Sequence, residues 1–415
     1  MLTHLVPGVA RVTEVGRTRA AALPSPMLSG VTTDPELDGL AAVDLSDTPG
    51  LDRFYGVIPA GGVGTRLWPL SRAAAPKFLH DLTGSGQTLI RATYDRLAVL
   101  AGDRVMVVTG EAHEGAVREQ LPDLASEDTV LEPEPKDSAA AIGLAAAILF
   151  ERDPETIMGS FAADQVIGPV EEFQEAVAEA VATATTGKIV TIGIKPTHPA
   201  TGFGYIRQGE ALAVKGAPHA KGVAAFVEKP AEAVAQEYVA SGEYLWNAGM
   251  FVAPVSLMLH HLAANEPELH AGVVQIAKAW GTDAQAETMA RVWPGLKKTA
   301  VDYAVAEPAA AAGDVAVIPG GFTWDDVGDF AAIARLNPAK RASGITVIGE
   351  TPRVYSSKAS GVVVTDTARV IALIGVEDIV VVDTPDALLV TTTEHAQSVK
   401  QAVESLKAHG DDDVL

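Results

Sequence analysis

At 415 residues, with 48% hydrophobic and 20% charged residues, the chain can bury one large core and a second, smaller one. A formal charge of -22 argues against a broad polyanion-binding face, because nucleic-acid binders need a basic surface, and leaves room for a small anionic ligand. The absence of cysteine excludes disulfides, thiolate nucleophiles and Cys-ligated zinc, and no apolar run nears the ~18 residues that a membrane span requires.

Residues 1–52 have no sustained period. Arg11, Arg17 and Arg19 precede Pro24 and Pro26, and the part after Met27 is acidic and rich in Thr, Asp and Gly. With no continuous apolar stretch and no cleavage pattern, they read as a flexible N-terminal extension; a translation start near Met27 is the alternative. From residue 54 the rhythm becomes strand, loop, helix. Strands are predicted over 54–60, 104–109, 156–163, 188–194, 204–207 and 223–227, with helices over 139–150 and 171–184. This alternation predicts an α/β catalytic domain over 53–340, built on a doubly wound, mostly parallel Rossmann-like sheet. After residue 340, short β runs at 345–348, 353–355, 361–364, 370–374, 379–382 and 388–390 succeed one another without helices. They predict a small C-terminal β-rich, β-helix-like domain over 341–415, closed by a helix over 394–409.

The most informative segment begins at the end of the first strand. Ala60-Gly61-Gly62-Val63-Gly64-Thr65-Arg66-Leu67-Trp68-Pro69-Leu70-Ser71-Arg72 is succeeded by Pro76-Lys77-Phe78-Leu79. Closely spaced glycines let backbone N–H groups approach phosphate oxygens or a base edge. Arg66 adds a planar fork of donors and Lys77 a point charge. The segment lacks the Gly-Lys-Ser/Thr ending of a Walker loop, and a dinucleotide fingerprint would need a third glycine at Leu67. A lone glycine triplet would be only a tight turn; two cations within one short stretch favour a phosphate site.

These residues resemble the signature of the sugar nucleotidyltransferases, and Trp68 with Ser71-Arg72 is most similar to the mannose-1-phosphate guanylyltransferases. The resemblance runs in ordered blocks from Val57 to about Phe330. It implies a nucleotidyl transferase fold, Mg²⁺ as cofactor, and GTP and mannose 1-phosphate as substrates. The acidic charge, the lack of an apolar span and the lack of cysteine fit a cytoplasmic protein without nucleic-acid or membrane partners, and the β-rich tail either covers the active domain or mediates assembly into a homo-oligomer. The resemblance also implies roles. Arg66, Lys77 and Asp164 are the candidate catalytic groups. Ala60, Gly61, Gly62, Gly64, Thr65, Lys136, Asp137 and Ser138 would bind the nucleotide. Gly204, Glu228, Lys229, Asn247 and Asp302 would bind the sugar phosphate, and Asp164 and Asp326 the metal.

Both aspartates stand at predicted strand ends, where open α/β sheets place their sites; alone, each reads as a helix cap or turn residue. Gln165 replaces the His that usually comes after the first aspartate, and either Asp325 or Asp326 could face inward. The Lys136-Asp137-Ser138 stretch replaces a block that more often reads Arg-Asn-Thr, so UTP, dTTP or ATP with a glucose-type phosphate remains an alternative. A non-catalytic nucleotide-sugar-binding subunit is the alternative from another class; such a protein should have lost Arg66, Lys77 or a metal carboxylate.

Overall fold

The structure is a computed structural model that describes residues 10–12, 45, 47–62, 64–337, 344–349 and 352–415. Most of the expected N-terminal extension, and the expected domain boundary at 340/341, fall outside these residues. Within the extension, strand β1 (Ala10–Val12) pairs antiparallel with Arg353–Ser357 of the C-terminal unit.

The main sheet opens with β2 (Phe54–Ala60), β3 (Val105–Gly110), β4 (Thr129–Glu132) and β5 (Ile157–Ser160), all mutually parallel where they pair. A short ribbon strand, β6 (Val166–Gly168), comes next. The sheet continues with β7 (Ile189–Ile194), β8 (Gly204–Ala211), β9 (Lys221–Val227), β10 (Tyr244–Pro254) and β11 (Val315–Gly320). A further short strand, β12 (Thr323–Asp325), pairs with β6. The nine-stranded order is β4-β3-β2-β5-β10-β7-β11-β9-β8. The parallel half matches the expectation. Beyond it the sheet is mixed, because β10 runs against β5, β7 and β8.

Side-chain alternation assigns the two faces. In β2, Phe54, Ile58 and Ala60 point into one core and Val57 into the other; Val105 and Val107 of β3 oppose Met106 and Val108 in the same way. The first face is covered by α1 (Leu89–Ala101) and, after the short α2 (Glu114–Gln120), by α4 (Val170–Ala184). The second is covered by α3 (Ser138–Arg152). Helix α3 is buried almost continuously from Ala139 to Leu149, because the helices Val255–Asn265 and Pro267–Ala279 pack over its outer side. That explains its Ala-rich composition: small side chains let it sit between the sheet and a second helical layer.

The C-terminal unit consists of β13 (Ile345–Ile348), β14 (Arg353–Ser357), β15 (Gly361–Thr365), β16 (Val370–Ile374), β17 (Ile379–Asp383) and β18 (Leu388–Thr392). Strands β13, β15 and β17 stack in parallel, β14 and β16 form the second parallel ladder, and β18 returns antiparallel. These are successive coils of a β-helix. Val363 and Val381 face the second ladder, whereas Val362, Val364, Val380 and Val382 pack in one cluster with Leu67, Trp68, Phe330 and Ile333 of the α/β region. The closing helix starts later than its sequence suggests: Thr393–Ser398 is a 3-10 turn, and the α-helix runs over Val399–His409 without a side-chain cap at Ser398.

Candidate active site

The glycine loop leaves the C-terminal end of β2. A Cβ at Gly61 or Gly62 would meet nothing within 4 Å, so this backbone faces open space that a ligand can enter. Gly64 is constrained differently. Its φ is +72°, and a Cβ there would lie 2.8 Å from Lys77 Cβ, so only glycine lets the loop pack on that lysine. The Ser71 hydroxyl donates to Gly64 O at 2.7 Å and holds the turn that leads into Thr65–Leu67.

Lys77 is 6% exposed and touches both candidate metal aspartates, one through its carboxylate and the other through its backbone. Its Nζ lies 2.8 Å from Asp164 Oδ2 and donates to the backbone oxygen of Asp326. Burial raises the Asp326 carboxyl above its ordinary pKa, Lys77 and Arg66 oppose that shift, and Asp325 and Asp164 add to it. The neighbouring Asp325 is committed elsewhere: Oδ1 accepts from Val327 N at 2.8 Å, and Oδ2 lies 3.2 Å from Arg335. Asp326 is therefore the carboxylate that faces Lys77, Arg66 and Asp164.

The five residues expected around the sugar phosphate meet in a second cluster. Asn247 Nδ2 donates to Asp302 Oδ1 at 2.8 Å, while its Oδ1 accepts from Thr191 Oγ1 and Gly249 N, each at 3.1 Å. Glu228 packs where a side chain on Gly204 would sit, and its Oε1 lies 2.9 Å from Lys229 Nζ. Burial, and then the charge of Glu228, raise the Asp302 carboxyl to about 6. Gln165 connects the two clusters: its Nε2 donates to Ala248 O at 3.0 Å, next to Asn247.

In the Lys136-Asp137-Ser138 stretch, Lys136 pairs with Glu134 at 2.8 Å and donates to Pro294 O at 2.6 Å. One oxygen of Asp137 caps α3 at Ser138 N, and Ser138 Oγ accepts from Val301 N at 2.9 Å. The other oxygen of Asp137 has no partner among the described residues. Asp137, Lys229 and Val327 are three of the five non-glycine residues with positive φ among the described residues, and each lies in or beside a candidate segment.

A model of the nucleotidyl transferase family matches residues 55–343. The chain belongs to the nucleotidyl transferase family. A second model, described as a MannoseP isomerase/GMP-like beta-helix domain, matches residues 354–406. The transferase is 37% identical over 375 residues to a mannose-1-phosphate guanylyltransferase of Escherichia coli K12, covering 86% of this chain and 74% of that one. It is equally similar, 37% over 367 residues, to the mannose-1-phosphate guanylyltransferase ManC of Salmonella typhimurium, with the same coverage. Its fold superposes with a TM-score of 0.75 on a crystal structure named mannose-1-phosphate geranyltransferase from Thermus thermophilus. That match has 31% identity and covers 86% of this chain and 99% of that one.

Sequence reasoning missed several supports of these two candidate clusters. Thr191 orients Asn247 from inside an apolar strand, Glu307 Oε1 accepts from Glu228 N at 3.3 Å, and Gln397 reaches Arg66. Only their distant partners mark them out, so no local signal was available.

The raised Asp302 carboxyl makes stability depend on pH. The folded protein keeps this proton at pH values where the unfolded chain, near 3.8, has lost it. Stability therefore falls as pH rises from about 4 through about 6. Asp302→Asn retains an acceptor for Asn247 and removes the buried charge. It should stabilise the protein by about 2 kcal/mol at pH 7.5, with the gain shrinking steadily toward pH 4. Thermal melts across that range check it; a gain independent of pH would exclude Asp302 as its source.

Proposed function

We propose that the chain transfers GMP from GTP to mannose 1-phosphate, giving GDP-mannose and pyrophosphate, with Mg²⁺ as cofactor. The observation that carries this reading is the meeting of Lys77, Asp164 and Asp326 beside the glycine loop, one hydrogen bond away from the cluster of Asn247, Asp302, Glu228 and Lys229. The names of the curated relatives support the choice of substrates.

The two carboxylates fit the ion. Mg²⁺ is usually held by one or two carboxylates, completed by substrate phosphates and water, and Asp164 and Asp326 lie on either side of Lys77 beside the open backbone of the glycine loop. Bound between Asp164 and Asp326, it would supply charge neutralisation on the triphosphate. The remaining work falls to the chain. Backbone N–H groups of Gly61, Gly62, Gly64 and Thr65 cradle the phosphates, and Arg66 and Lys77 stabilise the charge that grows on the departing pyrophosphate. A phosphate oxygen of mannose 1-phosphate attacks the α-phosphorus in line, and the bond from that phosphorus to the bridging oxygen breaks. No general base is required, because the sugar phosphate is already ionised at neutral pH. Asn247, Asp302 and Glu228 orient sugar hydroxyls, Lys229 meets the sugar's phosphate, and the unpaired oxygen of Asp137 can accept from guanine N1 and N2.

The deciding experiment measures pyrophosphate release with Mg²⁺, pairing each NTP with mannose 1-phosphate and with glucose 1-phosphate. Release confined to GTP with mannose 1-phosphate is expected. Release with another pair would replace the substrates, and silence with all pairs would point to a non-catalytic binding subunit. Lys229→Ala should raise the KM for mannose 1-phosphate about tenfold and leave that for GTP little changed. A matched rise in both would move Lys229 out of the sugar site.

A further inference from the structure

The C-terminal β-helix unit grips the glycine-loop segment through three side chains. Arg72 makes a paired contact with Asp386, Nη1 to Oδ2 and Nη2 to Oδ1, both at 2.6 Å. Trp68 Nε1 donates to Val414 O at 2.7 Å, and Arg66 Nη1 donates to Gln397 Oε1 at 2.9 Å. The first two contacts anchor the segment after the loop. The third holds the guanidinium assigned above to the phosphates.

Gln397 is fixed from its other side. Its Nε2 donates to Asp329 Oδ2, and Asp329 Oδ1 accepts from Ala332 N at 3.0 Å, capping the helix Phe330–Leu336. An ionised carboxylate only accepts and a guanidinium only donates, so the amide has a single permitted orientation: nitrogen on Asp329, oxygen on Arg66. Asp329 is 8% exposed and lies in the same short segment as Asp326. Gly328, between them, sits under the arginine: a Cβ there would lie 3.5 Å from both Arg66 Nη1 and Asp326 Oδ2. A hydrogen-bonded chain from Asp329 through Gln397 to Arg66 thus sets the guanidinium beside the candidate metal carboxylate. Arginine has a long, rotamer-rich side chain, and a fork held before the substrate arrives loses less freedom when it engages phosphate.

We infer that Gln397 is a positioning residue for nucleotidyl transfer, holding Arg66 in register with Asp326 and making the C-terminal unit part of the active site. The inference rests on the phosphate role proposed for Arg66.

The test uses the full chain. Gln397→Met keeps the side-chain length and removes both hydrogen bonds. It should lower kcat/KM for GTP roughly 10- to 100-fold, while the KM for mannose 1-phosphate stays within about twofold. Gln397→Asn, one carbon too short, should show the same split in smaller measure. If Gln397 acts through Arg66, adding Gln397→Met to Arg66→Ala should cause no further loss. Arg369→Ala, which breaks the contact with buried Asp383 inside the β-helix, reports the effect of loosening that unit without touching the loop. The inference falls if Gln397→Met costs less than about threefold, if its loss multiplies fully with that of Arg66→Ala, or if Arg369→Ala reproduces the same split. A wild-type chain that transfers no nucleotide would instead overturn the functional reading, and the role of Arg66 with it.

Discussion

Asp164→Asn is expected to lower kcat by about 10³-fold while the protein stays folded. The side chain is partly open to solvent, and its contact is the ion pair with Lys77 at 2.8 Å, so the amide fits the same space. What it loses is charge. An amide oxygen is a far weaker partner for Mg²⁺ than a carboxylate, and it removes the ion pair with Lys77. Asp326→Asn should behave in the same way, because its carboxylate shares that field. Pyrophosphate release and a thermal melt decide the matter together. If both variants keep activity within about tenfold of wild type, the metal assignment is lost.

Lys77→Met should cost less, about 10²-fold in kcat, and it carries a second signature. Lys77 is buried and opposes the rise in the Asp326 carboxyl pKa. Without the ammonium that carboxyl titrates higher still, so the acidic limb of the pH–rate profile should move to higher pH. Methionine has nearly the same length, which keeps the packing under Gly64. An unchanged acidic limb would show that Asp326 does not govern it, even where kcat falls.

How much of this was legible in the sequence depends on how far apart the partners lie. The glycine loop could be read because Gly61 to Lys77 are neighbours in the chain and their types announce phosphate chemistry. The β-helix coils could be read from apolar runs broken by turns with no helix between them. The direction of β10 could not. Its residues Leu245 to Ala253 are almost all buried, and a strand covered on both faces shows no alternation and no sense of direction. Nor could the choice between Asp325 and Asp326, since it is made by Arg335 and the Val327 amide. Gln397 lies in a stretch that reads as the start of the closing helix. Its significance arises only when a loop made much earlier folds back against it.

That separation has a consequence in time. Trp68 emerges early in synthesis, but its partner Val414 lies 346 residues further along, and Gln397 comes 331 residues after Arg66. At ~5–20 residues per second, the ribosome takes roughly 20 to 70 s to close that gap. Strands β2 to β5 can pair early in that interval, whereas β11, which lies between β7 and β9, joins the sheet only after Gly320 has been made. Throughout it the glycine loop lacks its contacts with Gln397 and Val414, which form only when the C-terminal residues have left the ribosome and docked.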